Sequence, residues 1–192
     1  ALEHMSARAT HVAVHDAARP CASMAMIERV FAAAERYGAA VPGVAMGDTV
    51  KKVLGDGCWG LGDEGKAKED SRSDELDALF GGAASQSIEA KRIVETVPRH
   101  DLYRVQTPQV FEKGLLVEAY ASLTAENATG VTDDASVVER AGGEVYIVEG
   151  DPLNMKLTTP GDVELMEAVL KMREEKAAKD AAVKQLFGDD ED

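Results

Sequence analysis

The chain has 192 residues, of which 45% are hydrophobic, and its formal net charge at pH 7 is −14. This length and composition are typical of one folded domain with a buried core, and they exclude a disordered chain. A protein this acidic repels a polyphosphate backbone, which argues against nucleic-acid binding. Small phosphorylated molecules remain candidate ligands wherever basic residues are gathered locally.

The two cysteines and the hydropathy pattern narrow the class of protein further. Cys21 and Cys58 lie far apart without paired spacing around either, which excludes a disulfide framework and a cysteine-based zinc site. No apolar run approaches the length of a membrane span, and the N-terminus shows no charged-then-apolar leader. The sequence therefore predicts a cytoplasmic protein without membrane contacts.

The N-terminal part predicts a strand, a helix and a second strand. The alternating stretch 11–15 indicates the first strand, and it runs into a polar turn at 16–20. Residues 23–37 indicate a helix closed by Gly38, and 39–46 indicate a buried strand. The apolar residues that set the helical spacing are Ile27, Val30, Phe31 and Ala34. This order of elements favours an α/β fold with a largely parallel sheet.

Residues 55–92 differ from the rest in being rich in glycine and charge, without a sustained apolar period. Such a stretch buries too little apolar surface to order itself. We therefore predict a mobile insertion there, with one short helix at 74–80.

The second half predicts alternating extended segments and helices. They are expected at 93–97 and 103–106 (extended), 112–124 and 133–141 (helical) and 144–148 (strand). A last helix begins at 159–162, because Thr159 can cap it, Pro160 suits its first position and Asp162 favours its positive end. This helix is predicted to continue into a solvated, charged tail at 171–192.

The polar turn after the first strand is the first candidate site. At the carboxyl edge of an α/β sheet such a turn faces the ligand crevice. Asp16 suits Mg²⁺ or a ribose hydroxyl there, and Arg19 suits a phosphate. The alternative is a structural turn, in which Asp16 bonds its own backbone and pairs with Arg19. The residues alone leave both interpretations open.

Three further clusters combine hydroxyls with cations. Thr49 and Lys51 precede the insertion and Arg99 follows it, and a hydroxyl beside a cation suits phosphate, although lysines near loops are usually solvated. Neither Thr49 nor Arg99 shows an intramolecular role in the sequence. Thr132 precedes a short helix, where capping is favoured over ligand binding. Lys156 lies in a strand-like run and is ambiguous when taken alone.

Six motifs occur in a specific order across 11–170. They are VHDAARP (14–20), DTVKK (48–52), ETVPR (95–99), QTPQVF (106–111), TDDAS (132–136) and GDPLNMKLTTPGD (150–162). Together they resemble the 2-C-methyl-D-erythritol 4-phosphate cytidylyltransferase family. The resemblance implies one domain over 1–192, with a Rossmann-like nucleotidyltransferase sheet. It also implies a projecting β-arm at 47–100 that joins a homodimer.

The resemblance further implies a Mg²⁺-dependent transfer of the cytidylyl group from CTP to methylerythritol phosphate, which releases pyrophosphate. It places the catalytic residues Asp16, Arg19 and Lys156 beside the nucleotide phosphates, with Asp16 on the metal and Ala17 beside it in the cofactor site. Methylerythritol phosphate would be held by Thr49, Arg99 and Thr132, and Lys51 and Thr107 would be further substrate-binding residues. Thr49 and Arg99 would serve the site of the other protomer.

Two departures from the family pattern qualify these expectations. The Gly-rich loop with an Arg and a Lys that cradles CTP in the family does not occur in this sequence. We therefore expect the N-terminal part of the fold to be missing, CTP to bind poorly, and the chain alone to be inactive. The insertion at 55–92 stands where the tip of the arm is expected. The alternatives are a cytidylyltransferase for a pentitol phosphate such as ribitol 5-phosphate, and a non-catalytic dimerisation or regulatory module.

Overall fold

The structure is a computed structural model that describes residues 4–54, 90–124 and 128–187. Its contacts divide the chain into two units, which we call the main unit (Ala1–Ala45 with Tyr103–Asp192) and the small unit (Met46–Leu102). The mobile insertion predicted at 55–92, with its short helix at 74–80, lies almost wholly outside the described residues.

The main unit is built on a mixed β-sheet. Its strands within the described residues are β1 (His11–Val14), β2 (Ala39–Ala45), β5 (Tyr103–Val105), β6 (Gln109–Glu112) and β7 (Tyr146–Glu149). The strand order is β1–β6–β2–β5, and β7 pairs with β2 in addition. Because Ala40 pairs with both Val110 and Tyr146, β6 and β7 lie on opposite edges of β2.

The expectation of a largely parallel sheet is wrong. β2 pairs in parallel with β7, but its pairings with β5 and β6 are antiparallel, as is the pairing of β1 with β6. The cause is the segment 103–112, which runs back along β2 as two short strands. Its second strand, β6, inserts between β1 and β2, so the two strands joined by the predicted helix are not neighbours.

Helices cover both faces of this sheet. The side chains of consecutive strand residues point to opposite faces. Thus Ala40 and Val110 pack with Met26, Val30 and Ala34 of α1 (Met24–Tyr37). On the other face the buried cluster consists of Ala39, Val41, Phe111, Leu116, Ala119, Ala135, Val137 and Val138. The helices on that face are α2 (Lys113–Ala121) and α3 (Asp134–Arg140).

The boundaries of the helices agree with the sequence to within a few residues. α1 ends at Gly38, whose φ of +87° is a left-handed conformation that glycine adopts without strain. Its buried stripe is Met26, Val30 and Ala34, whereas Ile27 and Phe31 are half-buried. The strand expected at 144–148 begins two residues later, as β7.

The last helix, α4 (Pro160–Phe187), begins where the sequence predicts. The capping carboxylate is that of Asp162, which accepts hydrogen bonds from the amides of Thr158 and Thr159 at 2.8 and 2.7 Å. These bonds lower the pKa of Asp162 to about 2. Among the described residues, no helix combines the length and apolar composition that crossing a membrane requires.

The small unit contains a two-stranded hairpin within its described part. β3 (Val50–Val53) and β4 (Ile93–Val97) pair antiparallel, with Val50 opposite Val97 and Lys51 opposite Thr96. This pairing places the residues that precede β3 beside those that follow β4.

Candidate functional site

The turn after β1 carries Asp16 and Arg19. The Arg19 amide donates to the Asp16 carbonyl at 2.9 Å, and the Asp16 carboxylate accepts the amide of Ala18 at 3.1 Å. The self-bonded turn that the sequence left open is therefore present. The ion pair between Asp16 and Arg19 that belonged to that interpretation is wrong, because the carboxylate pairs with Lys156 instead.

The pair formed by Lys156 and Asp16 links two segments that are far apart in the sequence. Lys156 Nζ lies 2.8 Å from Asp16 Oδ2. The hydrogen bond from Lys156, and after it the amide of Ala18, lowers the pKa of Asp16, against a smaller opposing effect of burial. The Leu157 amide also donates to the Ala18 carbonyl, at 2.8 Å. Lys156, whose role the sequence alone left open, is thus brought to the turn of Asp16 and Arg19.

Arg19 lies beside this pair with part of its guanidinium buried. Its Nη1 donates to the Asn154 carbonyl at 2.8 Å, while its buried Nε has no hydrogen-bond partner among the described residues. Burial lowers the pKa of Arg19, and the nearby charge of Asp16 opposes that shift. Arginine nevertheless stays charged in proteins. A half-buried guanidinium beside the cavity is suited to an anionic group such as a phosphate.

Thr107 and His15 support the turn from a second side. Thr107 Oγ1 accepts the Asp16 amide at 3.0 Å and lies 3.0 Å from His15 Nδ1. His15 Nε2 lies 3.1 Å from the Arg19 carbonyl. Since a carbonyl only accepts, Nε2 donates in this contact, and in the neutral ring the Thr107 hydroxyl then donates to Nδ1. Thr107 therefore holds the turn in place through its hydroxyl.

Thr132 is not the cap of the short helix α3, so the capping role favoured by the sequence is wrong. The cap is Asp133, whose carboxylate accepts the amide of Ser136 at 3.0 Å. Asp133 is in turn held by Gln109, whose Nε2 donates to it at 2.7 Å. Thr132 remains exposed. The Thr132 hydroxyl suggested a cap, but the capping box is formed by Asp133 and Ser136 and thus begins one residue later.

These residues share one cavity of the main unit, with a volume of about 290 Å³. Its lining consists of Val14, His15, Asp16, Arg19, Val105, Gln106, Thr107, Gln109, Thr132, Asp133, Asp134 and Lys156. Five of the predicted site residues are therefore brought together: Asp16, Arg19, Thr107, Thr132 and Lys156. The sixth in this unit, Ala17, is exposed in the turn itself.

The remaining predicted site residues lie in the small unit. Lys51 Nζ donates to Thr96 Oγ1 at 2.6 Å across the hairpin. Arg99 donates to the Gly47 carbonyl, so the expectation that Arg99 lacks an intramolecular role is wrong. Thr49 is exposed just before β3. The strand pairing does bring the positions of Thr49 and Arg99 near each other, as predicted from the hairpin.

The donor set of the cavity fits a magnesium ion that is bound mainly through substrate. No group of three or more His, Cys, Asp or Glu side chains among the described residues is arranged to hold a metal. Mg²⁺ needs less than that, because it commonly binds one or two carboxylates and completes its shell with phosphates and water. Each oxygen of Asp16 accepts one hydrogen bond, from Ala18 or Lys156, and retains a further lone pair. Asp16 thus fits the metal role.

Sequence reasoning missed two buried amides that shape the cavity. Gln106 donates to the carbonyls of Asp151 and Asn154 at 2.8 and 3.1 Å, and it accepts the Asp151 amide at 3.1 Å. Asn154 is fully buried and donates to the Thr107 carbonyl at 2.9 Å. Both residues stand inside the quoted motifs QTPQVF and GDPLNMKLTTPGD. Their membership of those motifs was the available signal.

The family model described as 2-C-methyl-D-erythritol 4-phosphate cytidylyltransferase matches residues 1–63 and 77–172 of this chain. The chain belongs to this family. The resemblance inferred from the six ordered motifs is confirmed, and the break in the match falls within the predicted insertion.

Curated cytidylyltransferases of this family are similar to most of the chain. Those from Acidobacterium capsulatum and Bacillus cereus are each 38% identical to it, over 84% and 88% of its length. The matched regions are 54% and 59% of those relatives. The chain therefore spans just over half the length of the curated relatives it matches.

Solved structures of the family agree with the fold. The crystal structure of the cytidylyltransferase from Thermus thermophilus has a TM-score of 0.62 and 33% identity, over 88% of this chain and 65% of that one. The Francisella tularensis structure has a TM-score of 0.62 and 26% identity, over 86% and 63%. The predicted Rossmann-like nucleotidyltransferase fold is thereby confirmed.

Proposed function

We propose that this chain takes part in transferring the cytidylyl group of CTP to 2-C-methyl-D-erythritol 4-phosphate, a step of non-mevalonate isoprenoid biosynthesis. The observation that carries the proposal is the contact between Lys156 and Asp16 beside Arg19, in a chain of this family. The names of the relatives favour this acceptor over ribitol 5-phosphate, and they favour an enzyme over a non-catalytic module.

The proposed reaction is a displacement at phosphorus. A phosphate oxygen of methylerythritol phosphate attacks the α-phosphorus of CTP and forms the new O–P bond. The bond from the α-phosphorus to the bridging oxygen breaks, and pyrophosphate leaves with the electron pair. Because the acceptor is already an anionic nucleophile, the protein has to align the reactants and stabilise the transition-state charge, and no activated serine is needed.

The charged residues of the cavity suit these two tasks. Arg19 offers a half-buried guanidinium and Lys156 a half-exposed ammonium, and since both line the cavity, both suit phosphate oxygens of the nucleotide. Asp16 orients Lys156 and would hold Mg²⁺, which would neutralise charge on the α-phosphate and the departing pyrophosphate. Ala17, which is exposed in the same turn, would lie beside the nucleotide.

The acceptor phosphate is assigned to hydroxyls and cations in both units. Thr132 and Thr107 line the cavity of the main unit, and Thr49, Lys51 and Arg99 lie on the hairpin of the small unit. We assign the small unit to an arm that joins a homodimer and contributes these residues to the site of the partner subunit. The support is the family membership together with the pairing of β3 and β4.

The test is an assay of pyrophosphate release and of product by ³¹P NMR. Two forms are compared: the 192-residue chain, and a fusion in which this chain replaces the matched region of the Acidobacterium relative. We expect at least one of these two forms, which we call the active form, to turn over CTP with methylerythritol phosphate. In the active form, Lys156→Ala should lower kcat/KM by about 10²–10³-fold, because a cation that meets developing charge is lost. The matched control is Lys171→Ala, because Lys171 is an exposed lysine on α4.

Three results would contradict the proposal. A fusion that binds neither CTP nor methylerythritol phosphate would support the non-catalytic module. A preference for ribitol 5-phosphate in kcat/KM would support the pentitol phosphate alternative. Equal losses in Lys156→Ala and Lys171→Ala would remove Lys156 from the chemistry.

A further inference from the structure

Arg173 of α4 contacts both segments that carry the charged residues of the cavity. Its Nη2 lies 3.0 Å from Asp151 Oδ2, in a pair whose side chains are 29% and 18% exposed. Its Nη1 donates to the carbonyl of Cys21 at 2.7 Å. Cys21 follows the turn of Asp16 and Arg19 in the sequence, and it is fully buried. One planar guanidinium therefore joins the two segments, which a flexible ammonium would do less rigidly.

Asp151 passes this constraint to the residues that line the cavity. Its carboxylate accepts the Leu153 amide at 2.9 Å, and its carbonyl accepts the Asn154 amide at 2.9 Å. The Asn154 carbonyl in turn accepts Arg19 Nη1 at 2.8 Å. Lys156 follows two residues later, so the turn that begins at Asp151 sets the position of the lysine as well.

Arg173 stands outside both the cavity lining and the family pattern. It is not among the residues that line the cavity, and the family match ends one residue before it, at 172. A direct role on substrate is therefore not indicated. Arg173 contacts the Asp151 carboxylate and the Cys21 carbonyl. The segments of these two residues carry Lys156 and Arg19, which line the cavity.

We propose that Arg173 is a positioning residue, which clamps the turn of Asp16 and Arg19 to the segment of Lys156. The clamp itself is a property of the main unit. Its effect on turnover rests on the proposed function. In the intact clamp, the Leu157 amide stays bonded to the Ala18 carbonyl across the two segments. Without the Arg173 contacts, the two segments are free to separate by local opening, and Asp16, Arg19 and Lys156 lose their alignment.

Amide hydrogen exchange of the 192-residue chain, measured by NMR without substrate, tests the clamp directly. In Arg173→Met we expect the Leu157 amide to exchange at least about tenfold faster, while the β6 amides keep their rates. Lys171→Met removes a cation from the same helix and should leave both unchanged. Arg173→Lys should fall between. If Arg173→Met fails to fold, Asp151→Asn weakens the same pair at similar volume. An unchanged exchange rate of the Leu157 amide in every folded variant of Arg173 and Asp151 would overturn the clamp.

Kinetics of the active form tests the effect on catalysis. Arg173→Met should lower kcat/KM by between about 10- and 100-fold, because the charged groups lose their alignment. In a Lys156→Ala background the same change should cost roughly threefold or less, since both variants disturb one unit. A purely structural Arg173 would cost the same factor in both backgrounds, and that result would overturn the positioning role. Faster exchange in a protein without transferase activity would instead preserve the clamp and refute the proposed function.

Discussion

Lys156 is the largest of several influences that lower the pKa of Asp16. The two side chains are 49% and 27% exposed, so the pair contributes little to the free energy of folding. Its effect is local, because the lysine holds one carboxylate oxygen and the Ala18 amide holds the other. The carboxylate is thus fixed in direction, which suits the metal-binding role proposed for it.

Removing the lysine should therefore raise the pKa of Asp16. In Lys156→Met we expect the pKa to rise towards its ordinary value, since the largest cause of its depression is lost. The Ala18 amide and the charge of Arg19 remain and still favour the carboxylate. The measurement is a ¹³C NMR titration of the Asp16 carboxyl, with Lys171→Met as the control. An unchanged titration would show that the Ala18 amide dominates instead.

At the scale of elements, the beginning of α4 depends on one carboxylate. Asp162 accepts two backbone amides and the Thr158 hydroxyl at distances of 2.7 to 2.8 Å. These bonds stabilise the ionised form, and they bring the segment after Lys156 into the first turn of α4. A folded-state pKa of about 2 against an ordinary 3.8 means that this stabilisation is complete above about pH 4 and is lost as the pH falls towards 2.

Asp162→Asn should consequently lower the Tm near neutral pH and make the Tm depend less on pH in acid. We expect the difference in Tm from the parent to shrink between about pH 4 and 2, the interval between the two pKa values. Thermal unfolding followed by circular dichroism over that range measures it. Glu174→Gln, in the middle of the same helix, is the matched control. A Tm difference that is independent of pH would refute the assignment.

The turn after β7 illustrates how closely elements approach in the main unit. A Cβ added at Gly150 would lie 3.0 Å from the carbonyl carbon of Gly43 and 2.6 Å from Gln106 Oε1. The Gly150 amide donates to the Gly43 carbonyl at 2.9 Å. A side chain at this position would push the turn away from β2, and the turn carries Asp151 and Asn154 to the cavity. The glycine is needed for the close approach of two backbones.

At the scale of the whole molecule, the proposed assignment divides the site between two protomers. Arg99→Ala and Lys156→Ala should each inactivate their own homodimer. Mixing the two variants should form heterodimers with one intact site, and thus recover up to about half of the normal activity per heterodimer. Arg99→Ala should also weaken methylerythritol phosphate far more than CTP, since a guanidinium suits the acceptor phosphate.

The measurement is activity after subunit exchange, in the form of the protein that proves active. Heterodimers are counted by native mass spectrometry of differently tagged variants. A mixture of Lys156→Ala with Asp16→Asn is the control, because each change disables the main-unit site of its own protomer and no intact site is expected. If heterodimers of Arg99→Ala with Lys156→Ala form but are inactive, the hairpin serves the site of its own subunit.

Much of the fold and part of the candidate site could be predicted from the sequence alone. The helix boundaries were predictable because they depend on neighbours a few residues apart, such as the stripe of Met26, Val30 and Ala34 or the stop at Gly38. The six motifs identified the family because their order is a property of the chain itself. Motif membership likewise indicated Asp16, Arg19 and Lys156 as candidate residues before any contact was known.

Other features were decided by tertiary structure. The insertion of β6 between β1 and β2, the pairing of Lys156 with Asp16, and the attachment of Arg173 to Asp151 join residues that are distant in the chain. Periodicity and capping signals describe only local conformation, so they do not state which distant backbone a strand or side chain will meet. That choice follows from burying both faces of the sheet and satisfying buried polar groups together, which is a property of the packed molecule.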